Sequence, residues 1–275
     1  MMENISAAFI KSIIKERLPD SHKGTYGHAL LIAGNTGKMG AALIAAKACV
    51  RSGVGLITVN VPFMEQLTIQ VSVPEAMINF RESLSNDYDN FSAIGIGPGI
   101  GKNSLEKKVL KEIMKYSGGA LVIDADALNI LADYKKLQEK IPENSILTPH
   151  PKEFDRLFGN HLSTEERKQT AIKKAQELNC VIVLKGYETF VTNGSEHFFN
   201  TTGNSGLAKG GSGDALTGLV TGLLAQHYDG LNAALIGVFL HGLAADITLK
   251  KQSMETMIIT DVIQNLGAAF TQIAS

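Results

Sequence analysis

"GLAKGGSGDALTGLVTGLLA", residues 206–225, holds six glycines and a single acid, Asp214, which stands where the run "KGGSGD" ends. Glycine costs roughly 0.5–1 kcal/mol relative to alanine in a regular element, so such a cluster needs a physical reason. A tight turn is one reason, and a backbone that lies against a ligand is the other. The apolar residues that follow predict a helix over 214–227.

The start of this helix is predicted to bind an anion. The first amides of a helix lack partners, and the macrodipole adds partial positive charge there. We predict that small residues at the helix start leave these amides free to bind an anion such as a phosphoryl group. This predicted anion cradle consists of Gly210, Gly211, Ser212 and Gly213. Asp214 is either an ordinary helix cap or a general base that takes a proton from an attacking hydroxyl. The three preceding glycines, with Gly218 and Gly222 on the helix, favour the base.

The rest of the chain alternates between short apolar runs and helical patterns, which predicts an α/β fold with a mostly parallel central sheet covered by helices on both faces. The predicted strands are "HALLIAG", "GLITVNV", "AMINF", "AIGIG", "ALVIDAD", "SILTP" and "CVIVLKG", and "ETFVTN…EHFFNT" predicts a hairpin that turns at Asn193–Gly194. Helices are expected over 1–18, where Ile5, Phe9 and Ile13 form a stripe, and over 103–117, 126–137, 163–178, 214–227, 230–249 and 260–274. One domain, 1–275, is the simplest organisation.

Ligands bind beyond the carboxyl ends of the strands in such a sheet. Glycine or ionisable residues follow five predicted strands, which suggests one shared crevice: Gly34, Gly97–Gly101, Asp124 with Asp126, His150, and Lys185–Gly186.

Each of these motifs has a structural alternative. "IGIGPGIG" (94–101) fails the G-x-G-x-x-G spacing of dinucleotide-binding sites, and leaves open either a tight turn or a flat backbone surface for a ligand. For Asp124 and Asp126, helix capping is the better interpretation for one of the pair. His150, held between two prolines, is either a structural or a functional residue.

The composition excludes several classes of protein. A formal net charge of −1 gives no basic surface for nucleic acid. Cys49 and Cys180 lie in apolar segments and predict a reduced protein, hence a cytoplasmic one. Charged residues at 11–17 argue against a signal peptide, and no apolar run approaches the length of a membrane helix. The histidine spacings predict no metal ligands.

Eight motifs, in order from about residue 22 to 247, resemble the ADP/ATP-dependent NAD(P)H-hydrate dehydratases of the ribokinase-like superfamily. They are "HKGTYGHALLIAG", "RSGVGLITV", "GPGIG", "DADALN", "LTPHPKEF", "VLKG", "TGNSGLAKGGSGDALTG" and "LHGLAADI". The resemblance implies that a hydroxyl on a damaged nicotinamide ring is phosphorylated from ADP or ATP, after which phosphate leaves and the S form of NADH hydrate or NADPH hydrate becomes NADH or NADPH. AMP or ADP is the other product.

The resemblance also assigns residues. Asp214 matches the residue that deprotonates the hydroxyl, while Ala41, Gly99 and His150 match contacts to the damaged dinucleotide. The donor nucleotide site matches Gly213 and the run Lys185, Gly186, Tyr187, Glu188 and Thr189. Mg²⁺ on the donor phosphates, a homotetramer, and an epimerase activity on a separate chain are further implications.

Two departures from the family pattern stand beside motif residues: Lys152 where many relatives have glycine, and Ser205 where many have proline. Both affect the expected shape of a loop more than the chemistry. The alternative functions are a ribokinase-like kinase for a vitamin-precursor alcohol and a nucleotide-binding protein without catalysis. The second is disfavoured because a binder has no need of Asp214.

Overall fold

Ten strands form one sheet in the computed structural model, which describes residues 2–83, 88–115 and 119–274. The strands are β1 (Met2–Ile5), β2 (His28–Ile32), β3 (Leu56–Val61), β4 (Met77–Phe80), β5 (Ala93–Ile96), β6 (Leu121–Ile123), β7 (Ile146–Leu147), β8 (Val181–Leu184), β9 (Phe190–Thr192) and β10 (His197–Asn200). Their order is β1-β10-β9-β8-β7-β6-β5-β2-β3-β4. Only β9, among these ten, pairs antiparallel with its neighbours. The predicted mostly parallel α/β sheet is confirmed.

Helices cover both faces of the sheet. They are α1 (Ala7–Ile13), α2 (Met39–Arg51), α3 (Gln66–Ser72), α4 (Ser104–Ile113), α5 (Ala125–Asp133), α6 (Lys135–Gln138), α7 (Pro151–Phe158), α8 (Thr164–Glu177), α9 (Ser212–Ala225), α10 (Gly230–Leu249), α11 (Ile259–Gln264) and α12 (Leu266–Ala274). The predicted helices over 126–137 and 260–274 are each divided in two. Residues 116 and 117 of the helix predicted over 103–117 lie outside the described residues.

Two hydrophobic cores lie on opposite faces of the sheet. Successive residues of a strand point to opposite faces, so Leu31 packs into one core and Leu30 into the other. The first core contains apolar residues of α2, α9, α10 and α12, and the second contains those of α4, α5, α7 and α8. This double burial explains why the strands are continuous apolar runs in the sequence. Cys49 and Cys180 are buried free thiols in these cores.

The prediction of a helix over 1–18 is wrong for its first residues, because the helix begins only at Ala7. Residues 2–5 form β1, which pairs in parallel with β10 from Met2 opposite His197 to Ile5 opposite Asn200. Ser6 then caps α1, because its hydroxyl accepts a hydrogen bond from the Phe9 amide at 3.1 Å. The pairing joins segments about 195 positions apart, and local periodicity carries no signal of such a contact.

The predicted hairpin is confirmed. Thr192 of β9 pairs with His197 of β10, and Gly194 in the connection has a φ of 92°, which favours glycine. The Asn193 side-chain oxygen accepts hydrogen bonds from the amides of Ser195 and Glu196 at 2.9 and 2.8 Å, which closes the turn.

Helix α10 corrects the expectation that no segment has membrane-spanning length. By length and composition Gly230–Leu249 could cross a bilayer, with a mean hydropathy of 1.5, although polar residues interrupt its apolar runs. In the fold, however, 83% of the tested window is buried, and the helix packs between α9 and the last helices. Its apolar character is therefore that of a core helix.

Glycines of α9 bring this helix against α2. A Cβ on Gly218 would lie 1.9 Å from the Ala45 carbonyl oxygen, and a Cβ on Gly222 would lie 2.0 Å from Ser52 Oγ. These two glycines therefore serve close helix packing, not the exposure of backbone to a ligand. Gly218 and Gly222 therefore do not indicate a catalytic role for Asp214.

Candidate active site

The carboxyl ends of β5 to β8 converge around the buried carboxylate of Asp124, which follows β6 and is 1% exposed. Its Oδ1 accepts a hydrogen bond from Lys185 Nζ at 2.8 Å, and its Oδ2 accepts one from Thr217 Oγ1 at 2.8 Å. Lys185 follows β8, and its amide is fixed by the Pro149 carbonyl at 2.9 Å. A buried carboxylate with a cation and a hydroxyl donor is a fully partnered charge.

The predicted helix-capping role is wrong for this pair of acids. The Asp124 side chain makes no capping hydrogen bond although it stands at the N-cap position of α5. Asp126 Oδ2 accepts instead from the Gly101 amide at 2.8 Å, and lies 3.7 Å from Lys38 Nζ. The two acids thus connect α5 to Lys185 on one side and to the Gly97–Gly101 turn on the other.

The start of α9 has the free amides that the glycine cluster predicts. Gly211 is the N-cap residue, with a φ of 94° and no side-chain cap. Ser212 donates to the Lys209 carbonyl at 3.4 Å, but among the described residues no partner is found for the amides of Gly213 and Asp214. A Cβ on Gly213 would lie 3.2 Å from Lys185 Nζ, so the bare backbone lies directly against this cation. Amides and ammonium together form an anion-binding corner.

Asp214 lies partly exposed in the first turn of α9. Burial, with a smaller effect of the Asp124 carboxylate, raises the pKa of Asp214 to about 6, whereas Lys185 lowers it. Asp126 adds a further, weaker upward effect. A carboxylate with a pKa near neutrality is a stronger base than an exposed aspartate, and it is still mostly ionised at pH 7.

The predicted substrate contacts Ala41 and Gly99 are neighbours. A Cβ on Gly99 would lie 2.9 Å from Ala41 Cβ, and Gly99 has a φ of 63°. Gly97 passes so close to the chain after β6 that a Cβ there would lie 1.8 Å from the Asp124 carbonyl oxygen. The "GPGIG" segment therefore forms a tight turn, with Gly99 beside Ala41.

Arg81 stabilises the backbone beside Gly34 and the "GPGIG" turn through hydrogen bonds to carbonyl groups. It is 1% exposed, and it donates to the carbonyls of Gly34 at 2.6 Å, Asn60 at 2.8 Å and Ala33 at 2.9 Å. Gly34 in turn donates to the Pro98 carbonyl at 2.7 Å. Burial lowers the pKa of Arg81 to about 10, so the guanidinium stays charged at neutral pH.

His150 begins a helix that the sequence analysis missed. Pro151 occupies the first position of α7, where a proline needs no amide hydrogen. His150 Nδ1 accepts from the Lys152 amide at 3.1 Å, and Glu153 Oε2 accepts from the His150 amide at 2.9 Å. Burial, with Lys185 and Arg156, lowers the pKa of His150 despite the opposing effect of Glu153. The ring is partly exposed, and its Nε2 lies 3.5 Å from Glu153 Oε1.

A cavity of about 440 Å³ lies beside the start of α9. Five of the six predicted donor-site residues line it, and exposed Glu188 does not. Of the predicted anion cradle, Ser212 and Gly213 line the cavity, whereas Gly210 and Gly211 do not. The remaining wall was not predicted and comprises Asn200, Thr202, Gly203, Asn204, Ser205, Leu207, Ala208, Leu216, Val238, His241 and Gly242.

A larger cavity, of about 950 Å³, lies away from these strand ends, between α1, α12 and the ends of α2 and α9. Two of the basic side chains that line it, Lys15 and Arg17, donate to backbone carbonyls that follow helices. Lys15 Nζ donates to the His227 carbonyl at 2.6 Å, and Arg17 donates to the Gly53 carbonyl. Lys15 and Arg17 are therefore engaged, and none of the predicted site residues lines this cavity.

Comparison with known proteins identifies the family. A family model described as NAD(P)H-hydrate dehydratase matches residues 29–267. The chain belongs to the NAD(P)H-hydrate dehydratase family. The ADP-dependent (S)-NAD(P)H-hydrate dehydratase of Bacillus subtilis (strain 168) is 34% identical over 272 residues, covering 95% of this chain and 96% of that protein. The resemblance found in the sequence motifs is confirmed.

Solved structures of this family have the same fold. An ADP/ATP-dependent NAD(P)H-hydrate dehydratase from Bacillus subtilis, co-crystallised with ATP and Mg²⁺, superposes with a TM-score of 0.88 at 32% identity and covers 98% of each chain. A ribokinase-like superfamily protein from Enterococcus faecalis V583 superposes with a TM-score of 0.88 at 29% identity, covering 99% of this chain and 96% of the other. The predicted ribokinase-like fold is confirmed.

Some members of the dehydratase family are longer. The bifunctional NAD(P)H-hydrate repair enzyme Nnr of Moorella thermoacetica is 33% identical over 278 residues, which cover 95% of this chain and 52% of that enzyme. The chain thus spans about half the length of the bifunctional relatives that it matches.

Proposed function

We propose that the chain dehydrates the S form of NADH hydrate and NADPH hydrate at the expense of ADP or ATP, and restores NADH or NADPH with release of AMP or ADP and phosphate. The observation that carries this proposal is the position of Asp214. It follows Gly213, which lines the donor cavity with Lys185, and its charge interacts with Lys185 and with Asp126, which accepts from the Gly101 amide in the turn that contains Gly99.

Asp214 is proposed to take the proton of the hydroxyl at C6 of the hydrated ring. The freed oxygen attacks the terminal phosphorus of the donor, and the bond from that phosphorus to the bridging oxygen breaks, so that AMP or ADP leaves. The lone pair of the ring nitrogen then expels phosphate from C6. Loss of a proton from the neighbouring C5 restores the reduced nicotinamide.

Lys185 and the free amides of Gly213 and Asp214 are proposed to hold the phosphoryl group during transfer, with Ser212 beside them in the predicted anion cradle. The Lys185 ammonium is anchored by Asp124 at 2.8 Å, so it is already oriented before the donor binds. Tyr187, which is fully exposed at the rim of the cavity, and Thr189, Gly186 and Glu188 complete the proposed donor site. Ala41, Gly99 and His150 are proposed to contact the damaged dinucleotide.

Mg²⁺ fits this site as a companion of the donor, bound to phosphate oxygens and water. Among the described residues no group of three His, Cys, Asp or Glu side chains could hold a metal ion, so the chain offers no cage of its own. Mg²⁺ commonly binds through substrate phosphates with one or two carboxylates. Bound there, the ion would neutralise phosphate charge.

The test is recovery of NADH from its hydrate. The purified protein is incubated with acid-hydrated NADH, Mg²⁺ and either ADP or ATP, and the absorbance band of reduced nicotinamide is followed. The proposal expects recovery with at least one donor, accompanied by stoichiometric phosphate. No recovery with either donor contradicts it, and phosphorylation of a vitamin-precursor alcohol in the same preparation would favour the kinase alternative.

A homotetramer in the cytoplasm, with epimerization of the hydrate carried by a separate chain, remains part of the proposal. Apolar side chains exposed near and on α3 support self-association: Met64, Leu67 and Val71 are 84%, 68% and 81% exposed. Buried residues of α1 and α12, such as Ile10 and Ile273, belong to the core instead. Light scattering on the purified chain measures the mass, and a monomer would contradict the tetramer.

A further inference from the structure

An exposed lysine lies beside the proposed contacts of the hydrate. Lys38 is the N-cap residue of α2, and its side chain is 57% exposed. A Cβ on Gly99 would lie 3.4 Å from Lys38 Cβ and 2.9 Å from Ala41 Cβ. At its other end, Lys38 Nζ lies 3.7 Å from Asp126 Oδ2, which accepts from the Gly101 amide. The side chain therefore crosses the turn that contains Gly99, with more than half of its surface open to solvent.

The backbone that carries Lys38 is fixed against the same turn. The Gly34 amide donates to the Pro98 carbonyl at 2.7 Å. Asn35 Nδ2 donates to the Ile100 carbonyl at 2.7 Å. The Lys38 amide donates in turn to the Asn35 carbonyl at 2.7 Å, which closes the loop before α2. Because this backbone is already ordered, a ligand that binds the lysine loses less entropy.

The ion pair with Asp126 leaves the donors of the Lys38 ammonium unused. A separation of 3.7 Å is too long for a hydrogen bond, and Asp126 Oδ2 already accepts from the Gly101 amide at 2.8 Å. Among the described residues no hydrogen bond of Lys38 Nζ is found. Ion pairs between exposed side chains stabilise a fold very little. Lys38 is therefore a localised cation with donors available to a ligand.

Three other cations near the site are already engaged. Lys185 is bound to a buried carboxylate on the donor side. Arg81 is buried and donates to backbone carbonyls. Arg156 Nη1 donates to Asn129 Oδ1 at 2.8 Å, which joins α7 to α5. Lys38 differs from these three because its ammonium is open to an incoming anion.

The damaged dinucleotide carries an anion that suits this position. Its diphosphate is attached to the ribose that bears the hydrated ring, whereas the additional phosphate of NADPH hydrate is on the other ribose. With the ring hydroxyl at Asp214, the diphosphate is the first charged group beyond the reacting ring. Asp126 lies near enough to Asp214 to affect its charge, and Lys38 Nζ lies on the far side of the Asp126 carboxylate from no other described cation. Lys38 thus belongs to the hydrate side of Asp214.

We propose that Lys38 binds the diphosphate of NADH hydrate and NADPH hydrate, and so determines the affinity for the dinucleotide to be repaired. Hydrogen bonds between an ammonium and phosphate oxygens are strong because both groups are charged. The inference rests on the proposed function, because it takes Gly99 and Ala41 as contacts of the hydrate. The lysine contacts neither the transferred phosphoryl group nor the ring, so its removal should affect binding and not the chemical step.

The experiment compares Lys38→Met, which removes the charge but keeps the length of the side chain, with Lys38→Arg, which keeps the charge. Steady-state kinetics measures kcat and KM for NADH hydrate and for NADPH hydrate at saturating ADP or ATP, and KM for that donor at saturating hydrate. The control is Lys11→Met, which removes an exposed charge from α1 beside the larger cavity. Thermal unfolding without ligand reports on folding.

Lys38→Met should raise KM for both hydrates by the same factor, about tenfold or more. Its kcat and its KM for the donor should stay within about twofold of the wild type, because the lost contact is made equally in the ground state and the transition state. Lys38→Arg should recover most of the affinity. High ionic strength should reduce the difference between Lys38→Met and the wild type, since the ammonium is exposed. Lys11→Met should resemble the wild type, and the Lys38 variants should unfold at nearly the wild-type temperature.

Unchanged KM for both hydrates in Lys38→Met overturns the inference alone. A rise confined to NADPH hydrate also overturns it, because the lysine would then bind the phosphate of the other ribose. A fall in kcat at unchanged KM indicates that Lys38 acts only through Asp126, and equal defects in Lys38→Met and Lys38→Arg exclude a role of the charge.

Failure of the proposed function gives a different result. In that case the wild-type protein restores neither NADH nor NADPH with either donor, and the inference falls with the function. A wild type that repairs both hydrates beside a Lys38→Met variant of equal KM leaves the function intact and removes only the role of Lys38.

Discussion

Lys185 Nζ lies 2.8 Å from Asp124 Oδ1, and this ion pair joins the ends of β8 and β6 across the intervening strand β7. Both charges act on Asp214, which the Asp124 carboxylate drives toward its neutral form and Lys185 toward its ionised form. Burial is the larger cause of the raised pKa of Asp214, and the pair adjusts that pKa as well as fixing the position of the ammonium.

Asp124→Asn should lower the pKa of Asp214 from its value of about 6, because it removes a negative charge and leaves Lys185 without its partner. The acid limb of the pH profile of kcat should move to lower pH, and the rate should fall because the base is weaker. Rates from pH 5 to 8 measure the shift. Asp126→Asn is the control and should move the limb less in the same direction; an unmoved limb in Asp124→Asn contradicts the coupling.

Asp214→Asn should stabilise the fold at neutral pH. The pKa of Asp214 is raised from 3.8 to about 6, so its contribution to stability is complete below pH 3.8 and is lost as the pH rises through 6. The variant avoids that loss and should gain about 2 kcal/mol at pH 7.5. Urea unfolding at pH 7.5 and at pH 3.5 measures the gain, which should vanish at the lower pH. Equal stability at pH 7.5 would show that the carboxylate is not strained by burial.

Gly218→Ala should destabilise the protein by at least about 2 kcal/mol, since its Cβ would lie 1.9 Å from the Ala45 carbonyl oxygen and force α9 away from α2. Chemical denaturation measures the loss. Gly267→Ala in α12 is the matched control, because a Cβ there meets nothing within 4 Å. That variant should gain about 0.5–1 kcal/mol from helix propensity. Similar effects of the two substitutions would contradict the packing of α9 on α2.

Arg81→Met should leave the carbonyls of Ala33, Gly34 and Asn60 without their donor. A loss of about 3 kcal/mol in the free energy of unfolding is expected from breaking such a buried charged network. Because these carbonyls support the turn near Gly99, KM for the hydrate should rise more than kcat falls. Steady-state kinetics with saturating ADP measures both constants, and a change confined to kcat or to KM for ADP would contradict this role.

The sequence predicted the features that depend on local pattern. The buried strands were visible as continuous apolar runs such as "HALLIAG". The start of α9, which has no side-chain cap, was visible as the glycine-rich run "KGGSGD". Helix α7 was missed because Pro151 suggested a rigid loop, although proline is well suited to the first position of a helix.

Contacts between distant segments left no comparable signal. Asp124 and Lys185 are 61 positions apart, and the geometry of the sheet, not their own neighbours in sequence, brings them together. Thr217 looked like one more residue of an apolar helix, yet its hydroxyl completes the partners of Asp124. His241 lies in the motif "LHGLAADI", but its position beside the cavity was known only from the fold.

The rate of NADH recovery by Asp214→Asn, measured beside its affinity for ADP, tests the central claim most directly. If Asp214 takes the proton of the ring hydroxyl, turnover should fall about a hundredfold or more while ADP binds as in the wild type. Near-normal turnover in this variant would contradict the account, and Asp214 would then be only a residue of the first turn of α9.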